Sequence, residues 1–218
     1  MPDREVSFLE GSDLGRILEA PFKMPTGKGA SAAAPLIRHR DKSLLELLFS
    51  TGLRVSELIN LQRDNVNLKK EEFTVIGKGG KARVVFLSEQ AKYWLKKYLE
   101  LRKDINPYLF ISHDKRTGKQ VRVKGKGLSE VDEPLTVRSV QRLVQRYAQA
   151  AGITKAVTPH TLRHSYATDL LQNGADIRSV QAMLGHASIT TTQIYTHITD
   201  RQLRDIHKKF HARSRGKG

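Results

Sequence analysis

The stretch TPHTLRHSYATDLLQNGADIRSVQAMLGHASITTTQIYTH, residues 158–197, carries the pattern that decides how the rest of the chain is interpreted. Thr158 can cap a helix and Pro159 suits its first position, so His160 and Arg163 are predicted to share one face of its opening turns. A helix N-terminus has free N–H groups and a partial positive charge, both of which favour a phosphate. The stretch therefore predicts a helix start suited to a phosphoryl group.

Two more groups in this stretch indicate the kind of chemistry. His186 directly follows Gly185, where a helix from Ile177 is expected to end, and Tyr195 comes nine residues after His186. An arginine, two histidines and a tyrosine, with no cysteine or carboxylate among them, suggest phosphate chemistry with a tyrosine nucleophile. Three threonines before Tyr195 lower helix propensity, so we expect this segment to be only marginally stable by itself and mobile until its partner docks.

The charge composition indicates what kind of molecule the chain binds. Lysine and arginine number 38 against 22 acids, which gives a net charge of +16 and a pI near 10.2. A chain this basic is typical of a nucleic-acid binder, with an anionic membrane surface second and a merely soluble basic surface left open. No apolar run reaches the roughly 18 residues of a membrane span, and the charged N-terminus lacks a signal core. We therefore expect a cytoplasmic protein, and zero cysteines exclude disulfides, cysteine-ligated zinc and thiol catalysis.

The periodicity of the remaining chain predicts an α+β, mostly helical domain with a small antiparallel sheet. A hairpin over residues 72–87 is predicted to carry Lys78 in its turn, and residues 108–111 to form a short strand. Residues 113–133 are predicted to be a polar loop whose basic half contacts the DNA backbone or, alternatively, a solvated hairpin. Further helices are predicted over the following ranges: from Ser12 to near Pro21, from Arg38 to Thr51 with Gly52 as cap, from Arg54 onward, from Ser88 to about Asp104, from Thr136 to Gly152, and from Ile177 to Leu184.

The spacing of these motifs resembles that of the tyrosine recombinase (phage integrase) family. HTLRH, MLGH and the tyrosine of QIYTH match its C-terminal signature in order and distance, and TGLRVSEL resembles its first arginine box, which singles out Arg54. The family places a catalytic lysine on a hairpin turn, 24 residues past that arginine in Xer-type members, and Lys78 lies 24 past Arg54. The resemblance covers nearly the whole chain and implies a helical DNA breaking-rejoining domain.

The resemblance also implies a role for each residue. Tyr195 would attack the DNA phosphodiester to form a 3′-phosphotyrosyl link and release a 5′-hydroxyl, with His160 as base and Lys78 as acid to the leaving oxygen. His186 would donate a hydrogen bond to the phosphate, and the two arginines would bind its non-bridging oxygens. Because the link conserves bond energy, a second 5′-hydroxyl can reseal it, so no metal, ATP or other cofactor is expected.

Other residues near these motifs are also candidates for a role in the site. Glu57 is predicted to orient Arg54 through a charge-assisted hydrogen bond. Lys124 and Lys126 are alternatives to Lys78, set aside because they do not lie between two convincing strands. A zinc site at HTLRH is disfavoured, since zincins place a glutamate where Thr161 stands. Phosphate contacts are predicted for four basic residues of the two loops: Lys81, Arg83, Lys115 and Arg116.

The other five tyrosines are judged unsuitable as nucleophiles. Three are assigned to buried helix stripes and one to a strand, while the last lies three residues from Arg163 but matches no nucleophile position. In that order they are Tyr93, Tyr98, Tyr147, Tyr108 and Tyr166.

The expected organisation is a catalytic domain over residues 1–199 and an amphipathic C-terminal helix with a basic tail over 200–218. The N-terminal clamp domain usual in the family is not expected within this chain. Expected partners are duplex DNA with a specific recombination site and further copies of the chain, a tetramer on DNA joined through the tail helix, which could instead fold back on its own domain. A type IB topoisomerase and a non-catalytic DNA-binding derivative remain as alternatives.

Overall fold

The structure is a computed structural model that describes residues 8–25, 33–113, 119–123, 127–131 and 133–185, with backbone only at Lys78 and within 119–131. Within these ranges, no helix is both long and apolar enough to cross a bilayer. The helices are α1 (Gly11–Lys23), α2 (Ala34–Thr51), α3 (Val55–Ile59), α4 (Glu89–Leu101), α5 (Val137–Ala150), α6 (Pro159–Gln172) and α7 (Ile177–Leu184). The strands are β1 (Glu72–Ile76), β2 (Ala82–Phe86), β3 (Lys119–Val123) and β4 (Gly127–Val131).

Helix α2 lies at the centre, with α1, α4 and α6 packed around it. Its leucine stripe is fully buried, and its polar residues from Arg40 to Glu46 are buried as well, so each charge needs a partner. Asp41 accepts from Arg40 at 2.8 Å and from the Tyr147 hydroxyl at 2.8 Å, and Lys42 pairs with Glu46 at 2.8 Å. The bond from Tyr147 joins α5 to α2, the helix whose end reaches the candidate site, while the other two pairs lie within α2.

Two antiparallel hairpins make up the described sheet structure. β1 pairs with β2 from Glu72 opposite Phe86 to Ile76 opposite Ala82, as the sequence predicts. β3 pairs with β4, from Lys119 opposite Val131 to Val123 opposite Gly127. A mostly helical α+β domain with a small antiparallel sheet is thus confirmed. For residues 113–133, where a loop or a hairpin was predicted, the described residues form a hairpin. That hairpin forms because valines alternate with polar residues in KQVRV, a period-two pattern.

The predicted strand at residues 108–111 is wrong. Only isolated bridges form there, Gln62 with Tyr108 and Ile111 with Pro134. The Arg102 guanidinium donates to the carbonyl oxygens of Tyr108 and of the next residue at 2.8 Å each. A side chain therefore takes acceptors that a strand ladder would need.

Several predicted helix ends also need correction. α1 begins after Glu10 rather than at a Ser12 cap and continues through Pro21, because Met24 still donates to Ala20 at 3.0 Å beyond the proline. α2 begins at Ala34 instead of at residue 38, with a proline in its first turn. α4 ends at Leu101, where the next residue becomes extended.

Candidate active site

Helix α6 begins as the sequence predicts, and its first turns hold Arg163. The Thr158 hydroxyl accepts from the Thr161 N–H at 3.2 Å, and the Thr161 hydroxyl accepts from the Thr158 N–H at 3.0 Å. Pro159 occupies the first turn. The Arg163 side chain points inward, and the residue is 5% exposed. Its guanidinium donates to the Gly52 carbonyl oxygen and, at 2.6 Å, to the Leu184 carbonyl oxygen. Arg163 therefore joins the ends of α2 and α7.

Gly52 must be a glycine for two reasons. Its φ of 58° lies in the left-handed region, as predicted for the cap of α2. A Cβ at this position would lie 2.5 Å from Cδ1 of Tyr166 and 3.1 Å from Leu184. The close approach lets the end of α2 lie against α6 and present its carbonyl to Arg163.

Arg54 occupies the cap of α3 and has a more open side chain, 29% exposed. Its backbone N–H donates to Glu57 at 2.8 Å and its guanidinium donates to Glu57 at 3.1 Å, so the predicted hydrogen bond between the two side chains is present. The guanidinium also donates to the Gly185 carbonyl oxygen at 3.3 Å. Arg54 thus lies beside the residue whose peptide carbonyl leads directly into His186.

Glu57 has a second and tighter partner, Arg83 on β2. Two nitrogens of the Arg83 guanidinium donate to the two carboxylate oxygens at 2.7 Å each, and the side chains are only 5% and 8% exposed. Burial opposes ionisation of Glu57, but hydrogen bonds from Arg83 and Arg54 outweigh it and lower the carboxyl pKa. The structure therefore favours an internal partner for Arg83 over the phosphate contact predicted from the sequence.

Three arginines converge on the last carbonyls of α7. Arg83 donates through Nε to the Met183 oxygen at 3.1 Å, while Arg163 and Arg54 bind the next two carbonyls in turn. The C-terminal end of a helix carries partial negative charge and free carbonyls, so guanidinium groups stabilise it. A Cβ at Gly185, whose φ is 64°, would lie 2.8 Å from Cδ of Arg83. The convergence fixes the point from which the chain continues to His186.

The turn between β1 and β2 brings the backbone of Lys78 to the same area. Gly77 donates to Lys81 at 2.8 Å, and Gly79 takes a φ of 77°, which closes the turn. A Cβ on Gly77 would lie 3.5 Å from the Glu57 carboxylate, so the residue before Lys78 lies next to the Arg54–Glu57 pair. The structure does not describe the Lys78 side chain, and Lys81 is exposed.

Lys124 and Lys126 do lie between two strands, contrary to the prediction, because β3 and β4 flank residues 124–126. The preference for Lys78 rests instead on its spacing from Arg54 and on the position of its turn beside Glu57. Lys115 and Arg116, predicted DNA contacts, lie outside the described residues.

The two histidines of HTLRH differ in environment. His160 is exposed in the first turn of α6, and His164 is half-buried. Burial, with the charges of His160 and Arg163 nearby, lowers the pKa of His164 to about 4. His186 and Tyr195 fall outside the described ranges. Within those ranges, no three His, Cys, Asp or Glu side chains are grouped as metal ligands.

Of the four tyrosines assigned to helix stripes or to a strand, two assignments are confirmed and two are wrong. Tyr98 and Tyr147 are buried, and burial raises the pKa of Tyr98 to about 12. Tyr166 is also buried, 8% exposed, against the end of α7. Tyr93 is 52% exposed, so its assignment to a buried stripe is wrong. Tyr108 is half-buried and lies in a bridge, not in a strand.

An open cavity of about 630 Å³ lies beside Arg54 and is bounded by α3 and β1. Asn60, Asn65 and Thr74 add neutral polar groups to its wall. Together with the exposed part of the Arg54 guanidinium, this concave surface can accept an anionic backbone.

Comparison with known proteins matches these features to one family. The model of the phage integrase family matches residues 24–202. Tyrosine recombinase XerD of Listeria monocytogenes serotype 4b (strain F2365) is 44% identical over 182 residues, 80% of this chain and 56% of that protein. Tyrosine recombinase XerD of Staphylococcus aureus (strain N315) is also 44% identical, over 81% of this chain and 56% of its own length. The chain thus spans little more than half the length of these curated relatives.

Solved structures agree with this relationship. The crystal structure of XerA recombinase is 32% identical, with a TM-score of 0.72 over 100% of this chain and 67% of that one. The XerH site-specific recombinase bound to difH substrate, a pre-cleavage complex, is 29% identical, with a TM-score of 0.69 over 94% of this chain and 55% of that one. Since the family model covers well over half of its residues, the chain belongs to the phage integrase family, the tyrosine recombinases.

Proposed function

We propose that this chain is the catalytic part of a site-specific recombinase that cleaves and rejoins duplex DNA through a 3′-phosphotyrosyl intermediate. The observation that carries the proposal is the meeting of Arg54 and Arg163, from separate helices, at the carbonyls of Leu184 and Gly185 immediately before His186. Two guanidinium groups brought together at one point can bind the non-bridging oxygens of a phosphodiester. Chromosome dimer resolution and mobile-element integration both fit such an activity, which acts on DNA in the cytoplasm.

The roles follow the chemistry of the side chains. Arg54, the more exposed arginine, takes a non-bridging oxygen first, while a phosphate must compete with two carbonyls for Arg163. Tyr195, with a reference pKa of roughly 10, attacks phosphorus once His160 accepts its proton. Lys78 protonates the leaving 5′ oxygen, and reversal of the same steps with another 5′-hydroxyl reseals the strand. The scheme needs no cofactor.

Partners follow from charge and from the family. The net charge of +16 favours duplex DNA, and the similar XerH recombinase structure is bound to its difH substrate. We propose that copies of this chain assemble as a tetramer on a recombination site through residues 200–218, and that residues 1–199 form the catalytic domain.

A trapping experiment tests the proposal. A pool of nicked duplexes with random sequence around the nick is incubated with the chain, so that the short cleaved fragment diffuses away and the covalent adduct accumulates. Wild type should give a denaturant-resistant adduct and Tyr195→Phe none. Tyr93→Phe, the same substitution at an exposed tyrosine, should behave as wild type. Absence of a wild-type adduct, or an equal amount from Tyr195→Phe, contradicts the proposal.

A second measurement separates recombination from the topoisomerase alternative. Adducts recovered from the random pool are sequenced for enrichment of a site. Enrichment supports a recombinase, whereas efficient relaxation of plasmid DNA without sequence preference supports a topoisomerase.

A further inference from the structure

We infer that Arg83 is a positioning residue of the DNA-cleavage reaction, acting through Glu57 on Arg54 and through Met183 on the chain that leads to His186. This rests on the proposed function. It gives Arg83 a task other than the phosphate contact that its basic side chain and its place in a basic hairpin suggest.

Three contacts carry the inference. The planar guanidinium of Arg83 binds both oxygens of Glu57 at 2.7 Å, and its Nε binds the Met183 carbonyl at 3.1 Å. One rigid group therefore links β2, the start of α3 and the end of α7. The side chain is 8% exposed, so docked DNA meets little of it.

The register of the hairpin explains why this arginine faces inward. Arg83 pairs with Val75, and Val85 pairs with Phe73, and all three of these neighbours are buried. Side chains two apart on a strand share a face, so Arg83 belongs to the buried face of β2. Lys81, at the end of the turn, is exposed by contrast.

The number of cations around the Glu57 carboxylate explains how Arg83 can affect Arg54. Glu57 is 5% exposed and touches both Arg83 and Arg54. With Arg83 present, the carboxylate is largely neutralised by its two bonds to that residue, so Arg54 retains an exposed guanidinium for a phosphate. Without Arg83, the buried carboxylate has Arg54 as its nearest partner and draws it away from the phosphate.

Single-turnover cleavage at saturating protein tests this with four variants. Arg83→Met should cleave about 10- to 100-fold more slowly than wild type, the scale of a misplaced reacting group. Arg83→Met combined with Glu57→Gln should recover about fivefold or more of that loss, because the unpaired carboxylate is gone. Arg83→Lys keeps the charge without the planar fork and should fall between. Arg142→Met, an exposed arginine on α5, should cleave as wild type.

The outcomes that overturn the inference are distinct. A double variant as slow as Arg83→Met shows that Arg83 does not act through Glu57, and a wild-type rate for Arg83→Lys shows that the fork geometry is unnecessary. Unfolding midpoints of all variants set an assay temperature at which each is folded, and rescue by the double variant cannot arise from lost stability alone.

The salt dependence of DNA binding provides a second test, which does not require DNA cleavage. If Arg83 contacted a phosphate, Arg83→Met would lower the slope of log binding constant against log salt by about 0.9. The inference predicts an unchanged slope for Arg83→Met and a reduced one for Lys81→Met. Failure of wild type to form any adduct would overturn the proposed function, while this arm would still decide whether Arg83 contacts DNA.

Discussion

The Arg163 guanidinium donates to the carbonyl oxygen of Leu184 at 2.6 Å, so a residue predicted to hold phosphate also holds the protein together. Its other backbone bond, to Gly52, lies at the end of α2. The sequence analysis assigns Arg163 a role in binding phosphate only. The structure adds a role in stability, because removal of Arg163 leaves two buried carbonyls without this donor.

Arg163→Met is expected to lower the free energy of unfolding by about 1–3 kcal/mol for each carbonyl left unpaired, and to abolish adduct formation. Arg163→Lys retains the charge and should lose less stability. Urea unfolding measures the first effect, and the nicked-duplex assay measures the second. A Met variant with the urea midpoint of wild type would show that the carbonyl bonds contribute nothing.

Gly52→Ala is expected to be strongly destabilising. The left-handed φ alone costs about 1–2 kcal/mol, and the new Cβ would clash with the Tyr166 ring at 2.5 Å. Gly174→Ala is the matched control, because its φ is also positive, 97°, but nothing lies within 4 Å of the added atom. Thermal unfolding should show a clearly larger loss at Gly52. Equal losses would mean that the contact with Tyr166 relaxes without cost.

Stability is expected to fall as the pH falls from about 6.5 to about 4. Burial lowers the pKa of His113, and of His164, from 6.5 to about 4 in the folded chain. In this window the unfolded chain binds protons at both positions and the folded chain does not, so acid favours unfolding. The effect for the more buried His113 is on the order of 3 kcal/mol over the whole window.

His113→Gln provides the control for the pH series. It removes one titrating group, so the dependence of the unfolding midpoint on pH between 6.5 and 4 should become shallower than in wild type. His113 bonds to the Tyr98 hydroxyl at 3.0 Å, and the variant should therefore also be less stable at pH 7. An unchanged slope in the variant would show that His113 does not titrate in this window.

Much of the candidate site could be predicted because its elements are marked by local chemistry. Thr158 and Asp176 cap α6 and α7 through their own side chains, and Gly52 and Gly185 end α2 and α7 in left-handed conformations. These signals act within a few residues, so one sequence suffices to read them. The spacing of the motifs then supplied the family.

The remainder depends on contacts between distant segments. Arg83 was predicted to contact phosphate, although Val85, two residues further along β2, is buried on the same strand face. That period-two pattern was the sequence signal that Arg83 faces inward. The missing strand at residues 108–111 could not be foreseen, because it depends on where the Arg102 side chain folds back.

The proposal that Tyr195 is the nucleophile is tested most directly by locating the covalent bond between the protein and the DNA. Adduct from the nicked-duplex pool is digested with trypsin, and the DNA-linked peptide is identified by mass spectrometry. The account predicts that DNA is attached to peptide 179–201, in which Tyr195 is the only tyrosine, through the 3′-phosphate of the cleaved strand. Attachment to peptide 164–178, which contains Tyr166, or through a 5′-phosphate would contradict it.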